Sequence, residues 1–121
     1  MHSKALVELV EDSMTDMKAL DIRVLEVGAM TTITDFMVMA SGTSDRHVRS
    51  IADRVVERAK QAGYSALGVE GHEYGEWVLV DLGDVVVHVM QPATRDFYKL
   101  ENLWDIQEQA GVAGARREPA S

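Results

Sequence analysis

EWVLVDLGDVVVHVM, Glu76 to Met90, holds two runs of apolar, β-branched residues around a glycine. The spacing predicts an antiparallel hairpin closed by Leu82-Gly83, with Asp81 and Asp84 flanking the loop. In that register Val80 faces Val85, Leu79 faces Val86, Val78 faces Val87 and Trp77 faces His88. Val78, Val80, Val85 and Val87 then share one face, which is core. Trp77, Leu79, Val86 and His88 share the other, with both aspartates at its end. Such a mixture suits an interface, or a face that a helix covers while His88 hydrogen-bonds within the fold. The residues leave both open.

Upstream of the hairpin, EGHEYGE (Glu70 to Glu76) begins like the zinc-protease pattern HExxH, but Glu76 stands where the second histidine belongs. Gly71 and Gly75 bracket the stretch, so it reads as a solvated acidic loop. Further back, Val48, Ile51, Ala52, Val55, Ala59 and Ala62 form a helical stripe over about residues 45–62. Ser44 caps its start, Asp45 complements the dipole there, and Gly63 is the left-handed stop. DFMVMASG, Asp35 to Gly42, is the near-continuous apolar run of a central strand covered on both faces. Strand, helix and strand in this order predict a right-handed crossover to a parallel strand at Ala66 to Val69. IRVLEV, Ile22 to Val27, is a first strand. Leu6, Val10, Met14, Met17 and Leu20 make residues 4–19 an amphipathic helix with Ser3 as its cap.

Downstream, Pro92 ends the last strand and Thr94 caps a short turn through Arg95 to Lys99. RDFYKLENLW, Arg95 to Trp104, crowds Phe97, Tyr98, Leu100, Leu103 and Trp104 among charged residues. Some of these close the core, but a short helix cannot turn all five inward, and the composition is that of a binding hot spot. Leu100 to Ile106 form a last short helix, and GVAGARREPAS from Gly111 is a disordered tail. The expected fold is α/β, a mixed sheet of about five strands with flanking helices. One domain covers residues 1–110 and the tail 111–121.

Twenty acids against twelve bases give a net charge of −8. A chain that drew its affinity from phosphates would carry a basic face, whereas this one has only short basic patches such as Arg46, Arg49, Arg54 and Arg58. Such a charge repels bulk RNA and attracts a basic protein, but on charge alone the first reading is that it keeps the protein soluble. There is no cysteine, which excludes disulfides, thiolate metal sites and a cysteine nucleophile and fits a reducing cytoplasm. No apolar run reaches the roughly 20 residues of a membrane span, and the N-terminus is not a signal peptide. His2, His47, His72 and His88 are scattered, so no metal site is expected. SGTSDRH, Ser41 to His47, could hold an anion on backbone N–H groups, but it lacks both phosphate-loop patterns.

DFMVMASGTSDRHVRSIAD, EGHEYGEWVLVDLGDVVVHVM and RDFYKLENLW, in this order and spacing, resemble the Iojap family of bacterial ribosomal silencing factors. The resemblance covers about residues 4–107. It implies a nucleotidyltransferase-like topology without catalysis and without a cofactor. It implies binding to protein fourteen of the large ribosomal subunit, on the face that meets the small subunit, so that joining is blocked and translation falls in starvation or stationary phase. It also implies a homodimer when free. Carried over by position, Trp77, Tyr98, Leu100 and Glu101 match the partner-binding surface, and Asp81, His88 and Asp96 join them as candidates. Asp84 and Arg95 match family motif positions without an assigned role. The rival expectation is a nucleotidyltransferase or nucleotide-binding enzyme, with the Gly42–Asp45 turn as anion site and Asp81 and Asp84 as metal ligands.

Overall fold

The structure, a computed structural model, describes residues 2–98. The order is α1 (His2–Asp16), β1 (Leu20–Glu26), β2 (Phe36–Ser41), α2 (Asp45–Gln61), β3 (Gly68–Glu70), β4 (Trp77–Asp81), β5 (Val85–Met90) and α3 (Pro92–Tyr98). The strands form one five-stranded sheet in the order β1-β2-β5-β4-β3. β2 and β5 are parallel and the other neighbours antiparallel, so the sheet is mixed. The expected last helix through Leu100 to Ile106 and the tail lie outside the described residues.

Both long helices lie on one face. Leu6, Val10 and Met14 from α1 and Val48, Ile51, Ala52, Val55 and Ala59 from α2 are buried with Val38, Ala40, Val78, Val80, Val85, Val87 and Val89. Burying each such valine or larger aliphatic contributes about 1.5–3 kcal/mol relative to leaving it in water. The opposite face gathers Leu25, Val27, Met37, Met39 and Met90, with Trp77 against them. A strand alternates its side chains, so the two sets are consecutive residues of the same strands.

α2 starts and stops where its residues predict. The Ser44 hydroxyl accepts from the His47 N–H, and Gly63 at φ +96° ends the helix. Tyr64 N–H then donates to the Ala59 carbonyl and Gly63 N–H to that of Lys60, the paired bonds of a glycine-terminated helix. The other expected cap is not there. α1 already begins at His2, so Ser3 sits inside it and donates its hydroxyl to Asp35 Oδ2 at 3.2 Å. α1 also ends earlier than its stripe implied: Lys18 turns left-handed (φ 60°) and Leu20 becomes the exposed first residue of β1. α3 begins at Pro92, not Thr94, because proline suits the first helical turn.

The crossover from β2 through α2 does lead to a strand running in the same direction, since β3 and β5 both lie antiparallel to β4. It does not lead to a neighbour of β2. β3 holds the far edge beside β4, and the parallel partner of β2 is β5. The physical reason is burial. β5 is almost wholly buried and needs a strand on each side, whereas β3 is three residues long and mostly exposed.

The hairpin also differs by one step in its loop. Asp81 pairs with Val86, Val80 with Val87, Leu79 with His88, Val78 with Val89 and Trp77 with Met90. The two-residue loop is Gly83-Asp84, closed by the Leu82 N–H donating to the Val85 carbonyl at 2.9 Å. Gly83 has φ +90° and Asp84 does not turn left-handed, as in a turn with glycine first. Placing Gly83 second would have put Leu82 in the left-handed position and out of the core, where it is in fact buried. A shift of two residues preserves strand parity. Trp77, Leu79, Val86 and His88 therefore still share a face, although Trp77 is not directly opposite His88.

Candidate aromatic surface

Ser41, Met90 and Trp77 form one row across β2, β5 and β4. His88 lies one rung below Met90 on the same face, opposite Leu79. The diagonal separation lets the indole Nε1–H of Trp77 donate to Nδ1 of His88 at 2.9 Å, with the ring centroids 5.9 Å apart. An accepting Nδ1 places the proton of the neutral ring on Nε2. His88 is 5% exposed, and burial pushes its pKa down from 6.5 to about 4. Protonating Nδ1 would remove the lone pair that Trp77 uses. The histidine is therefore a neutral acceptor that fixes the indole, neither a base nor a ligand. His88 bonds within the fold, as one of the two expectations had it, and the tryptophan it holds is partly accessible.

Tyr98 of α3 also meets that indole, with ring centroids 4.9 Å apart at 47°. Phe97 meets the Tyr98 ring edge-on at 5.0 Å. Phe97 is 78% exposed and Tyr98 53%, so this aromatic pair presents apolar area to solvent. Glu76 and Asp96 are exposed acids adjoining the ring-bearing positions in sequence. α3 is joined to the sheet by Arg95, whose Nη1 donates to Ser41 Oγ at 3.0 Å, both residues being buried.

The loop EGHEYG supports the start of β4. Gly71 is at φ +81°, and a Cβ there would run into the Trp77 carbonyl oxygen. Gly75, at φ +71°, packs against the Asp45 side chain and backbone at the head of α2. The Gln91 side-chain amide donates to the Gly75 carbonyl at 3.1 Å, and its backbone N–H to that of Glu76 at 3.0 Å. His72 Nε2 meets Asp53 Oδ1 of α2 at 2.8 Å. The stretch is a loop, as its glycines predict, but a docked one.

The site residues named from the sequence thus fall into four groups. Trp77, His88 and Tyr98 come together. Asp81 stands on the same strand and face but at the far end of β4, where its Oδ1 accepts from Gly83 N–H at 2.9 Å and shapes the turn. Asp96 is exposed on α3. Leu100 and Glu101 lie outside the described residues. Ser41, Gln91 and the glycines of the loop were missed. For Ser41 a signal existed, because it keeps parity with Met37 and Met39 on the same face. For the glycines there was none, since their contacts are with residues far away in sequence.

The rival nucleotide site is not assembled. Gly42 follows the last residue of β2, while Asp84 precedes Val85, the partner of the first. Seven strand steps, roughly 23 Å, separate the proposed anion turn from Asp84, and five, roughly 17 Å, separate it from Asp81. Within the turn Gly42 N–H gives to the Met90 carbonyl and Thr43 N–H to His47 Nδ1, and just beyond it Arg46 N–H gives to Asp45 Oδ1 and His47 N–H to Ser44 Oγ. His47 Nε2–H in turn holds the Met17 carbonyl at 2.7 Å, tying the turn to the end of α1. Gly42 is needed there because a Cβ would press on Val48 at 2.9 Å. Among the described residues no three His, Asp or Glu side chains are grouped to hold a metal ion, and no helix is long and apolar enough to cross a membrane.

Comparison with known proteins gives a consistent result. The family profile described as "Ribosomal silencing factor during starvation" matches residues 1–121. A ribosomal silencing factor from Chromobacterium violaceum is 43% identical over 117 residues, 97% of this chain and 96% of that one. A crystal structure of a protein from the same organism superposes with a TM-score of 0.85 at 45% identity, covering 87% of this chain and 88% of the other. The mouse protein named "Mitochondrial assembly of ribosomal large subunit protein 1" is 32% identical over 104 residues, 84% of this chain and 46% of that one.

Proposed function

Because the chain belongs to the ribosomal silencing factor family, we propose that it represses translation by binding the large ribosomal subunit and sterically blocking the small one. The partner in this reading is protein fourteen of the large subunit, on the face that meets the small subunit. The effect is greatest in starvation or stationary phase. There is no chemical step and no cofactor. Repression follows from mass action: each occupied large subunit is withdrawn from joining. The protein acts in the cytoplasm and is a homodimer when free.

The observation that carries this reading is the Trp77–Tyr98 pair, held from behind by His88 yet partly exposed in front. Rings fixed before binding lose little conformational entropy on contact, and such anchors dominate interface energies. Leu100 and Glu101 join this reading only through their match to the family's partner-binding positions, and Asp96 supplies a charged rim. The net charge of −8 favours a basic ribosomal protein over bare RNA. The printed name of the mouse relative ties it to the large subunit.

Co-sedimentation with purified subunits tests the proposal. The protein is expected in the large-subunit fraction and not in the small-subunit fraction, and adding it should lower reassociation of the two. Absence from the large-subunit fraction refutes it.

A further inference from the structure

We propose that Arg95 and Ser41 are positioning residues for the aromatic surface: their buried hydrogen bond clamps α3 across the sheet and keeps the Tyr98 ring against Trp77. This inference rests on reading that surface as the one that binds the ribosome.

The geometry is that of a strap over one row. Ser41, Met90 and Trp77 lie side by side on three adjacent strands. α3 touches the β2 end of the row through Arg95 and the β4 end through Tyr98. Two strand spacings, roughly 10 Å, separate the anchors, with buried Met90 between them. Arg95 and Tyr98 are three residues apart on the helix, so both side chains leave from one face.

α3 cannot set its own pose. Its own backbone hydrogen bonds shape α3 but do not fix where it sits on the sheet. Its position must come from side chains that bind it to the sheet. The Arg95 side chain is committed inside the fold at 9% exposure, and Ser41 is 2% exposed, so a large partner cannot reach either. Tyr98, at 53%, is what a partner meets. A hydrogen bond with a charged donor is stronger and more directional than a neutral one, as fixing a short helix requires.

The test uses the full chain labelled with ¹⁵N. It has two tryptophans, and the Trp77 indole N–H resonance is assigned by its loss in Trp77→Phe. Tyr98→Ala removes the ring beside that indole and shifts its resonance. Ser41→Ala and Arg95→Met are expected to shift it in the same direction. Each should also weaken binding to purified large subunits by roughly tenfold, the scale of one charged hydrogen bond. In a Tyr98→Ala background the same two substitutions should cost less than about twofold, because residues acting through one another do not add.

An unmoved indole resonance in both variants overturns the proposal. So do binding losses that add in full to that of Tyr98→Ala. Should Arg95→Met not fold, Ser41→Ala, a small change at a strand end, carries the test by itself. If wild-type protein does not bind large subunits, the reading of the surface fails, while the indole resonance still decides whether Arg95 and Ser41 position Tyr98.

Discussion

Trp77 and His88 are joined across the β4–β5 hairpin by a single hydrogen bond of 2.9 Å, indole N–H to imidazole Nδ1, one rung off the direct pairing. The bond makes a buried histidine the support of a partly exposed tryptophan. It explains why a polar residue stands in a run of valines: the indole needs an acceptor on its inner side, and a fifth aliphatic residue would provide none.

Trp77→Ala removes the centre of the proposed binding surface. It should weaken binding to large subunits by about 2 kcal/mol or more, roughly thirtyfold. Titration of labelled protein with purified large subunits measures this, with circular dichroism confirming the fold. A folded Trp77→Ala protein of undiminished affinity sinks the assignment.

His88 makes the fold acid-sensitive. The unfolded residue titrates near 6.5 and the folded one at about 4, so the unfolded chain takes up the proton first. The stability due to this group is complete above pH 6.5, is lost progressively as pH falls, and stops falling below about 4. The whole difference is worth roughly 3 kcal/mol. Urea unfolding between pH 4 and 7.5 should show the loss, and His88→Gln, which keeps an acceptor without the titration, should lessen it. Equal acid sensitivity of the two proteins would mean that folded His88 accepts a proton without penalty.

Gly71→Ala combines a left-handed backbone (φ +81°) with a collision against the Trp77 carbonyl oxygen. It should destabilise the protein by at least about 2 kcal/mol. The loss of binding should follow from displaced Trp77. Thermal melting reads the first effect and subunit titration the second. A variant that melts like wild type would show that the loop docks differently.

Calorimetry with magnesium and a nucleoside triphosphate should give no saturable heat at the Gly42–Asp45 turn, because Asp81 and Asp84 lie too far along the sheet to hold a metal ion beside it. Asp81→Ala should instead cost about 1 kcal/mol of stability through the lost bond to Gly83 N–H. Tight nucleotide binding abolished by Asp81→Asn would reverse this assignment.

What could be read beforehand follows from how each feature is encoded. The two faces of β4 and β5 were legible because alternation survives a two-residue slip; the register was not, because Leu82-Gly83 and Gly83-Asp84 both make loops of the right length. The ends of α2 were legible because Ser44 and Gly63 act on their immediate neighbours. Ser3 misled because its hydroxyl bonds to Asp35, distant in sequence. The same holds for the place of β3, since which strands become neighbours is settled by burial across the whole sheet. Of the candidate site, Trp77, His88 and Tyr98 were legible from composition and parity. The Arg95–Ser41 bond, spanning 54 positions, was not.

The position of β5 also bears on how the chain is made. The strand at the middle of the sheet is the last of the described strands to leave the ribosome, and β2 waits on one side and β4 on the other until it arrives. Pairing Phe36 with Val85 closes a long stretch of chain at once, which raises contact order and slows folding. A nascent or prematurely terminated chain lacking Val85 to Met90 would display two raw strand edges and invite aggregation or proteolysis. The five-stranded sheet therefore stays open at its middle until Val85 to Met90 have been made.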